Sequence, residues 1–408
     1  MIMRRLVYVL VMLFFLSCFN SYNRMDMLKN IFSDFDIEHI GEGATRMEYV
    51  GIPEVIDFPE IVVEDLEPVP FDSIYESVRI VPLETNEHSF FGGVSVMNII
   101  NDTAYILDSR GIKGLLRFTI NGKFIDKIGS VGQGPGEYVS PQNFFVFRDR
   151  ICIIDNSQQK ILCYSRDGKF VEERRIPFYA DQAVFMDDSM FVFRCPLDVN
   201  PHIPAIDQSC MWITDSNFNV LKSGLRTPLP SNCSVYDDNA MKIVGGEIVC
   251  FENIIDSLFV INKDCDLECK YVLKFGRHRD KSFYSDKKTF RESFSNPDFY
   301  NIAYCNMSRD FVDCSLTIGG KPCMVLYSRN SRKTLVYDEV VFDNGCWAPM
   351  MNLDYTLYKD YYVEARPIEA VPQDSLTMST WQKHIKGDFT DVKPDDNPVL
   401  VFYKLRKW

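Results

Sequence analysis

The sequence predicts an all-β fold, a six-bladed β-propeller in which an N-terminal strand completes the last blade in a 3+1 closure. Two observations lead to this prediction. A strand-rich unit recurs along the chain with an offset of 46 to 47 residues, and an isolated strand precedes its first copy. Units of about 45 residues with four strands each are typical of propeller blades.

The composition agrees with a fold made of strands. The 408 residues include 31 Phe and 20 Tyr, and aromatic side chains favour strands. The net charge of −13 disfavours nucleic acid as a partner, because its phosphates would be repelled. We predict no cofactor and no metal.

The first 18 residues, MIMRRLVYVLVMLFFLSC, have the features of an export signal. Two arginines precede an apolar stretch that is too short to span a bilayer comfortably. The segment Leu16-Ser17-Cys18 resembles the lipobox of bacterial lipoproteins, although Phe15 stands where that motif has Leu. We predict that Cys18 is lipidated, and an ordinary signal peptide or signal anchor is the alternative.

This interpretation sets the organisation of the chain. Residues 1–18 are the predicted lipoprotein signal peptide, 19–60 a tether and 61–408 a monomeric propeller. Acyl chains at Cys18 would be the only attachment to a membrane. We expect an outer-membrane lipoprotein that faces the periplasm or the cell surface.

The two clearest copies of the repeat are AYILDSRGIKGLLRFTINGKFIDKIG (104–129) and ICIIDNSQQKILCYSRDGKFVEERRIP (151–177). In each, an apolar strand ends in Asp, a polar turn leads to a second strand, and Asn-Gly or Asp-Gly turns the chain into a third. These dipeptides are strong hairpin signals between strands. Fainter copies occupy 189–224, 246–276 and 311–342.

The ends of the chain predict how the ring closes. The last three strands, in NLDYTLYKD, YYVEARPIEAV and NPVLVFYKLRK, are one short of a blade. The isolated strand SIYESVRIVPLE (73–84) supplies the fourth. Closure of this kind removes the open edges on which other chains can pair.

The first two repeats resemble a known family. They carry the NHL-repeat pattern of β-propellers at Tyr105, Asp108, Phe118, Gly122, Phe124, Gly129, Gly132, Gly136, Tyr138 and Pro141. The chain as a whole resembles the six-bladed β-propeller lipoproteins of gut-type Gram-negative bacteria, in which a VPLE strand, a GQGPGEY loop and an NPVL-type strand recur in this order. The resemblance covers roughly residues 60–408 and implies fold and location, not an activity.

The stretch IGSVGQGPGEYVSP (128–141) is predicted to be the crossing from blade 1 to blade 2. Glycine permits the positive φ angles of a sharp turn. A phosphate-binding loop is the alternative, but the spacing is not GxGxxG and a strand follows rather than a helix. Glu137 and Tyr138 are candidates to project into a central site.

Four long loops are predicted to lie on one face of the propeller, at 130–140, 194–210, 276–296 and 372–397. Loops on a rigid scaffold often carry function. The third loop is rich in basic residues that suit carboxylates or sulfated sugars. The candidate ligand-binding residues are Glu137, Tyr138, His202, Arg277, His278, Arg279, Lys281, Trp381 and His384.

The predicted function is a binding or scaffold module for a glycan, a peptide or an envelope protein, without catalysis. The alternative is a metal-dependent lactonase-like or lyase-like propeller enzyme. Such enzymes place carboxylates on the axis, whereas the predicted inner strands are mostly apolar. Their only predicted oxygen ligands are Asn98, Asn306, Asn352 and Asp354.

Two cysteine pairs bracket predicted turns. Cys152 and Cys163 flank one hairpin almost symmetrically, and Cys265 and Cys269 flank another. In an exported protein each pair could form a disulfide. The alternative is that these residues are small buried apolar side chains.

Overall fold

The computed structural model describes residues 21–195, 199–226, 240–252, 255–276, 281–296, 298–351 and 355–408. Its main sheets are arranged as a six-bladed β-propeller, so the predicted fold class is confirmed. The inner strands of all six blades surround one cavity on the axis.

The chain begins outside the ring of blades. Three helices and four short strands precede the strand that closes the propeller. They are α1 (Ser21–Ile31), α2 (Ile37–Ile40), β1 (Thr45–Arg46), β2 (Tyr49–Val50), β3 (Glu54–Phe58), β4 (Val69–Pro70), α3 (Phe71–Ile74) and the closing strand β5 (Tyr75–Pro82).

Blades 1 to 3 each form a four-stranded antiparallel meander. Blade 1 contains β6 (Val96–Ile100), β7 (Thr103–Asp108), β8 (Gly114–Thr119) and β9 (Phe124–Ile128). The crossing that follows contains β10 (Ser130–Val131) and β11 (Glu137–Tyr138). Blade 2 contains β12 (Pro141–Phe147), β13 (Arg150–Asp155), β14 (Lys160–Ser165) and β15 (Phe170–Arg175). Blade 3 contains β16 (Gln182–Phe185), β17 (Met190–Arg194), β18 (Met211–Asp215) and β19 (Val220–Gly224).

Blades 4 and 5 repeat this pattern, and blade 6 combines both ends of the chain. Blade 4 contains β20 (Met241–Val244), β21 (Glu247–Cys250), β22 (Ser257–Ile261) and β23 (Leu267–Phe275). After α4 (Lys287–Ser293), blade 5 contains β24 (Tyr300–Met307), β25 (Phe311–Ile318), β26 (Lys321–Ser328) and β27 (Thr334–Tyr337), and β28 (Val340–Val341) follows it. Blade 6 contains β29 (Thr356–Tyr358) and β30 (Tyr361–Arg366), then, after α5 (Ser375–His384), β31 (Ile385–Lys386) and β32 (Val399–Leu405).

The 3+1 closure is present as predicted. In blade 6 the strand order is β29, β30, β32, β5 and β31, so the N-terminal strand pairs antiparallel with the C-terminal one, from Pro82 opposite Val399 to Tyr75 opposite Leu405. The short strand β31 adds a fifth, parallel member that the sequence did not predict.

The N-terminal segment, for which the sequence predicts a tether over 19–60, packs against the propeller in its described part. From Ser21 onward it runs around the outside of the propeller. Strand β1 pairs in parallel with the outer strand of blade 3, and β2 and β3 pair with the outer strand of blade 4. Phe32 is fully buried, and its ring stacks on His202 with centroids 4.5 Å apart. The segment therefore protects outer strand edges that would otherwise be open.

The glycine-rich stretch 128–141 is the crossing between blades 1 and 2. Gly129 and Gly136 have φ angles of +66° and +73°, a region that L side chains rarely adopt. A Cβ atom at Gly136 would also lie 2.7 Å from the ring of Phe170. The stretch is a turn that these two glycines make possible, as the sequence predicts.

Cys152 and Cys163 lie directly opposite each other on β13 and β14 and form a disulfide. The prediction for this pair is therefore confirmed. Cys265 and Cys269 are free and partly buried. The Sγ atom of Cys265 lies 3.8 Å from the sulfur of Met186, whereas Cys269 points to the carbonyl of Tyr271, so the second predicted pairing is wrong.

Across the described part of the chain, no helix is both long and apolar enough to cross a membrane.

Candidate functional site

A cavity of about 360 Å³ lies on the propeller axis, where the inner strands of the six blades converge. Each of these strands contributes a polar side chain to a lining that is otherwise mostly apolar. We call this set the axial ring; it consists of Asn98, Asn143, Gln182, Lys242, Asn306 and Thr356.

Strand register explains why several of these residues share one level. The first hairpins of blades 1, 4 and 6 close at the pairs Ile100–Thr103, Val244–Glu247 and Tyr358–Tyr361, and blade 5 closes where Ser308 donates to the Phe311 carbonyl. Four members of the axial ring stand two residues before these closures. They are Asn98, Lys242, Asn306 and Thr356.

Contacts between neighbouring blades agree with this placement. The Thr356 hydroxyl lies 3.5 Å from Oδ1 of Asn98. Sequence reasoning found Asn98 and Asn306 but missed the other four members. For Lys242 and Thr356 the available signal was their position two residues before the turn that follows each strand. Asn143 and Gln182 stand further from the turns of their strands. The predicted axial residues Asn352 and Asp354 lie outside the described residues.

One side of the cavity rests on a buried hydrogen-bonded network. The Tyr355 hydroxyl lies 2.8 Å and 2.9 Å from the two carboxyl oxygens of Asp313, and Asn306 Nδ2 donates to the same hydroxyl at 3.1 Å. Lys242 Nζ donates to the Tyr355 carbonyl at 2.6 Å and lies over the rings of Tyr355 and Tyr304, 4.7 Å and 4.6 Å from their centroids. These contacts fix Asn306 and Lys242 at the cavity wall.

Asp313 is fully buried, and this burial raises the pKa of its carboxyl to about 7. The hydrogen bond from Tyr355 and the charge of Lys242 act in the opposite direction, because both favour the ionised form. The carboxyl therefore changes its charge near neutral pH, one hydrogen bond away from the cavity lining.

The opposite side of the cavity is aromatic. The half-buried rings of Phe147 and Phe185 stack with centroids 4.3 Å apart. The lining continues to Arg148 and Arg166, which lie in turns on the face opposite the predicted long loops. Arg148 pairs with Asp188, and Arg166 pairs with Asp149 at 3.1 Å. The cavity thus extends to the face of the propeller that carries the short turns, whereas the sequence analysis predicted a function for the opposite face, where the long loops lie.

The predicted site residues Glu137 and Tyr138 are turned away from the axis. Glu137 folds back over its own loop, where its carboxylate accepts a hydrogen bond from the Gly134 amide at 2.8 Å. Tyr138 is fully buried and donates to the Ile128 carbonyl at 2.7 Å, and burial raises its pKa to about 12. Both residues hold the crossing loop in place.

His202 is also part of the packing. Its ring is 4% exposed and is covered by Phe32, and Nε2 donates to the Pro177 carbonyl at 2.9 Å. Burial lowers the pKa of His202, which favours the neutral ring. A role in binding or acid–base chemistry would require the N-terminal segment to move away.

Trp381 and His384 lie on α5, a helix inside the last of the predicted long loops. Trp381 is buried and donates from Nε1 to the Trp347 carbonyl at 3.0 Å, whereas His384 is exposed and packs beside Phe342. Trp381 lines a second cavity of about 220 Å³ whose other aromatic walls are Trp347 and Tyr403. This cavity is separate from the axis.

The basic loop lies largely beyond the described part of the chain. Cys18, Arg277, His278 and Arg279 are outside the described residues, and Lys281 begins a short 3₁₀ turn that ends at Tyr284. The role of the basic loop therefore stays a prediction. Within the described ranges, no three His, Cys, Asp or Glu side chains are grouped as metal ligands would be.

Three bacterial proteins are among the solved structures that this chain resembles. A Bacteroides fragilis protein that is named as a putative exported protein aligns at TM-score 0.69 and 19% identity, over 87% of this chain and all of that one. A Bacteroides vulgatus member of the DUF4221 family aligns at TM-score 0.48 and 12% identity, over 81% of this chain and 97% of that one. A catalytically inactive virginiamycin B lyase from Staphylococcus aureus aligns at TM-score 0.30 and 11% identity, over 64% of this chain and 74% of that one.

The first of these similarities supports the fold, and the other two are too distant to support an argument. None of the curated proteins matches the chain. A family defined as a domain of unknown function, DUF4934, matches residues 53–404, which include the closing strand and all six blades. The chain therefore belongs to the DUF4934 family.

Proposed function

We propose that this protein is an exported binding module of the cell envelope and that its axial cavity holds a glycan. The observation behind this proposal is the axial ring, in which each of six inner strands presents a polar side chain to one cavity. A cavity of about 360 Å³ is at the lower end of the range for small-molecule sites, roughly 300–1,000 Å³.

The chemistry of the lining favours a ligand with many hydroxyl groups. Each sugar hydroxyl can both donate and accept a hydrogen bond, and the amide side chains of Asn and Gln offer both functions. Thr356 adds a hydroxyl, and Lys242 adds a donor. The stacked rings of Phe147 and Phe185 provide an apolar surface against which the C–H face of a sugar can pack.

The enzymatic alternative receives less support from the same cavity. The described residues of its lining include no carboxylate. Asp313 is the nearest acidic group in the network, and its carboxyl lies behind Tyr355 rather than in the lining. We therefore retain binding, without catalysis, as the proposed function.

The proposed location rests on the N-terminal sequence and on one relative. The similar Bacteroides fragilis protein is described as exported, and the segment before Cys18 has the features of a lipoprotein signal. We propose that acyl chains on Cys18 hold the propeller at the outer membrane, where it meets envelope glycans.

A ligand screen with matched variants tests this function. The mature protein is mixed with a panel of neutral and uronate-containing oligosaccharides, and thermal unfolding is followed. A ligand that binds only the folded state raises the free energy of unfolding by RT ln(1 + [L]/Kd), and the melting temperature rises as a result. We expect at least one oligosaccharide to do so.

The same oligosaccharide is then tested on Asn98→Ala and Thr356→Val, which remove polar groups from the axial ring. Gln382→Ala removes an exposed amide from α5 and is the control. Loss of binding in the two ring variants and retention in the control would support the proposal. Equal binding by all three variants would place the ligand elsewhere, and no response across the panel would contradict a glycan ligand.

A further inference from the structure

A pair of free cysteines lies in blade 5, next to the strand position of Asn306. Cys305 on β24 and Cys314 on β25 are register partners across an antiparallel hairpin. Their sulfur atoms are 3.0 Å apart, and both side chains are buried. A disulfide bond is about 2.05 Å long, so the two sulfur atoms are roughly 1 Å from bonding distance.

Blade 2 contains the same arrangement in its bonded form. Cys152 and Cys163 are also register partners on adjacent antiparallel strands, with Cα atoms 4.3 Å apart, and they form a disulfide. Two cysteines that are directly opposed on adjacent antiparallel strands therefore form a disulfide in blade 2. In blade 5, Cys305 and Cys314 are already opposed in this way, so a disulfide between them requires no change of strand register.

We propose that Cys305 and Cys314 form a second cross-strand disulfide in the exported protein. The oxidant is a small or protein disulfide, R–S–S–R′, met after export. One cysteine thiolate attacks this disulfide and releases one thiol, and the second cysteine then displaces the other. The two cysteine thiols become one disulfide, the oxidant is reduced to two thiols, and the protons balance.

The exchange takes place while blade 5 is forming. In the folded protein both thiols face the apolar side chains of blade 4, in a cluster with Val249 and Phe251. Burial raises the pKa of Cys305, so the reactive thiolate is scarce once the blade has packed. A hairpin that has not yet docked exposes both sulfur atoms to the oxidant.

The position of the bond gives it a second consequence, which rests on the proposed function. The next register pair along the hairpin is Asn306 and Asp313. Both side chains contact the Tyr355 hydroxyl, and that of Asn306 lines the axial cavity. A covalent link one step away fixes this hairpin in its native register. The disulfide would therefore hold the blade 5 part of the axial ring in place.

Mapping the cysteines tests the bond itself, independently of any ligand. The mature protein is refolded with oxidised and reduced glutathione, denatured without reductant, alkylated with iodoacetamide and digested. We expect a peptide pair linked through Cys305 and Cys314, as well as the pair linked through Cys152 and Cys163. Full alkylation of Cys305 and Cys314 in this sample would overturn the proposal, whatever the state of the blade 2 pair.

Matched variants test the contribution of the bond to stability. Cys314→Ala removes the proposed disulfide, and Cys323→Ala removes a buried thiol from the next strand of the same blade. In oxidised protein we expect the lower urea midpoint for Cys314→Ala, and in dithiothreitol we expect the difference between the variants to narrow. The same difference with and without dithiothreitol would contradict a stabilising bond.

A ligand measurement separates the two claims. If the bond maps as proposed and Cys314→Ala still binds the oligosaccharide like the parent, the disulfide is structural and does not support the axial ring. If no oligosaccharide binds the parent, the proposed function fails while the cysteine mapping still decides the bond.

Discussion

The carboxyl group of Asp313 is enclosed in blade 5, and the Tyr355 hydroxyl lies within 2.9 Å of both its oxygens. One hydroxyl can donate only one hydrogen, so the charged form of this carboxyl receives little compensation from Tyr355. Because the ionised carboxyl of Asp313 is poorly compensated, the stability of the β24–β25 hairpin in blade 5 depends on pH.

Asp313 should make the protein less stable as the pH rises toward neutral. Its folded-state pKa of about 7 lies above the ordinary value of 3.8, so the folded state holds a proton that the unfolded state has lost. As the pH rises from about 4 to about 7, the free energy of unfolding therefore falls by up to about 4 kcal/mol. Above about pH 7 it levels off, because the carboxyl is then ionised in both states. Urea unfolding of the parent and of Asp313→Asn, at about pH 5 and about pH 8, measures the effect.

The amide of Asp313→Asn imitates the protonated acid and cannot ionise. We expect the variant to be more stable than the parent at both pH values and its advantage to be about 2–3 kcal/mol larger at pH 8, because at pH 5 only part of the pH-dependent stability of the parent has been lost. Asp388→Asn, at an exposed position after α5, is the control and should follow the parent at both. If the free energies of unfolding of the parent and of Asp313→Asn differ by the same amount at pH 5 and at pH 8, the Asp313 carboxyl does not titrate between these pH values.

Asn397 should be essential for the closure of the propeller. It is fully buried; its Nδ2 donates to the carbonyls of Glu84 and Ser89, and its Oδ1 accepts from the Phe91 amide. Asn397→Ala leaves the Ser89 carbonyl and the Phe91 amide without this partner, whereas the Glu84 carbonyl keeps the hydroxyl of Ser89. Each buried group left unpaired costs about 1–3 kcal/mol. We expect a loss of about 3 kcal/mol or more in a chemical denaturation experiment.

The exposed Asn217→Ala is the control for the closure experiment, and it should change the free energy of unfolding by less than about 0.5 kcal/mol.

Deletion of residues 73–84 is the more drastic test of the same closure. It removes β5 and should cause aggregation, because β32 then presents an open edge. A deleted chain that melts like the parent would contradict the importance of the closure.

Local signals explain how much of the fold was predictable. The Asn121-Gly122 and Asp167-Gly168 turns are enough to identify the hairpins of blades 1 and 2 from their residue types and spacing. The N-terminal segment gives no such signal. Its strand β3 pairs in parallel with β23, more than 200 residues away, and β1 and β2 are too short for an alternating pattern to appear.

The site was harder to predict for a related physical reason. In the sequence MKIVGGE, Lys242 looks like a solvated charge, and only the count back from the Gly245-Gly246 turn places it beside Asn306. The opposite error concerns Tyr138 and His202, which were predicted to bind a ligand but are buried in the scaffold. Polar residue types in loops suggest a ligand, whereas here their polar atoms satisfy carbonyl groups of the scaffold.

Cys18 should determine membrane attachment. Replacement by Ala removes the predicted acyl chains, which would supply the only strong affinity for lipid. We expect Cys18→Ala to move from the membrane fraction to the soluble fraction, whereas Cys346→Ala, which changes a partly buried free cysteine, should fractionate like the parent. Immunoblotting of fractionated cells provides the measurement, and an unchanged membrane share of Cys18→Ala would rule out the lipoprotein prediction.

Phe32 tests whether the N-terminal segment belongs to the folded unit. A free tether would tolerate any change there, but Phe32 is fully buried against Tyr179 and His202. Phe32→Ala should therefore destabilise the protein by about 3 kcal/mol, the range for large-to-small changes in a core. Phe90→Ala, at a ring that is 51% exposed, should have little effect. Limited proteolysis adds a local readout: we expect faster cleavage within residues 21–58 of Phe32→Ala, because the segment loses its main anchor. Equal stability and equal cleavage of the two variants would show that the segment is a tether after all.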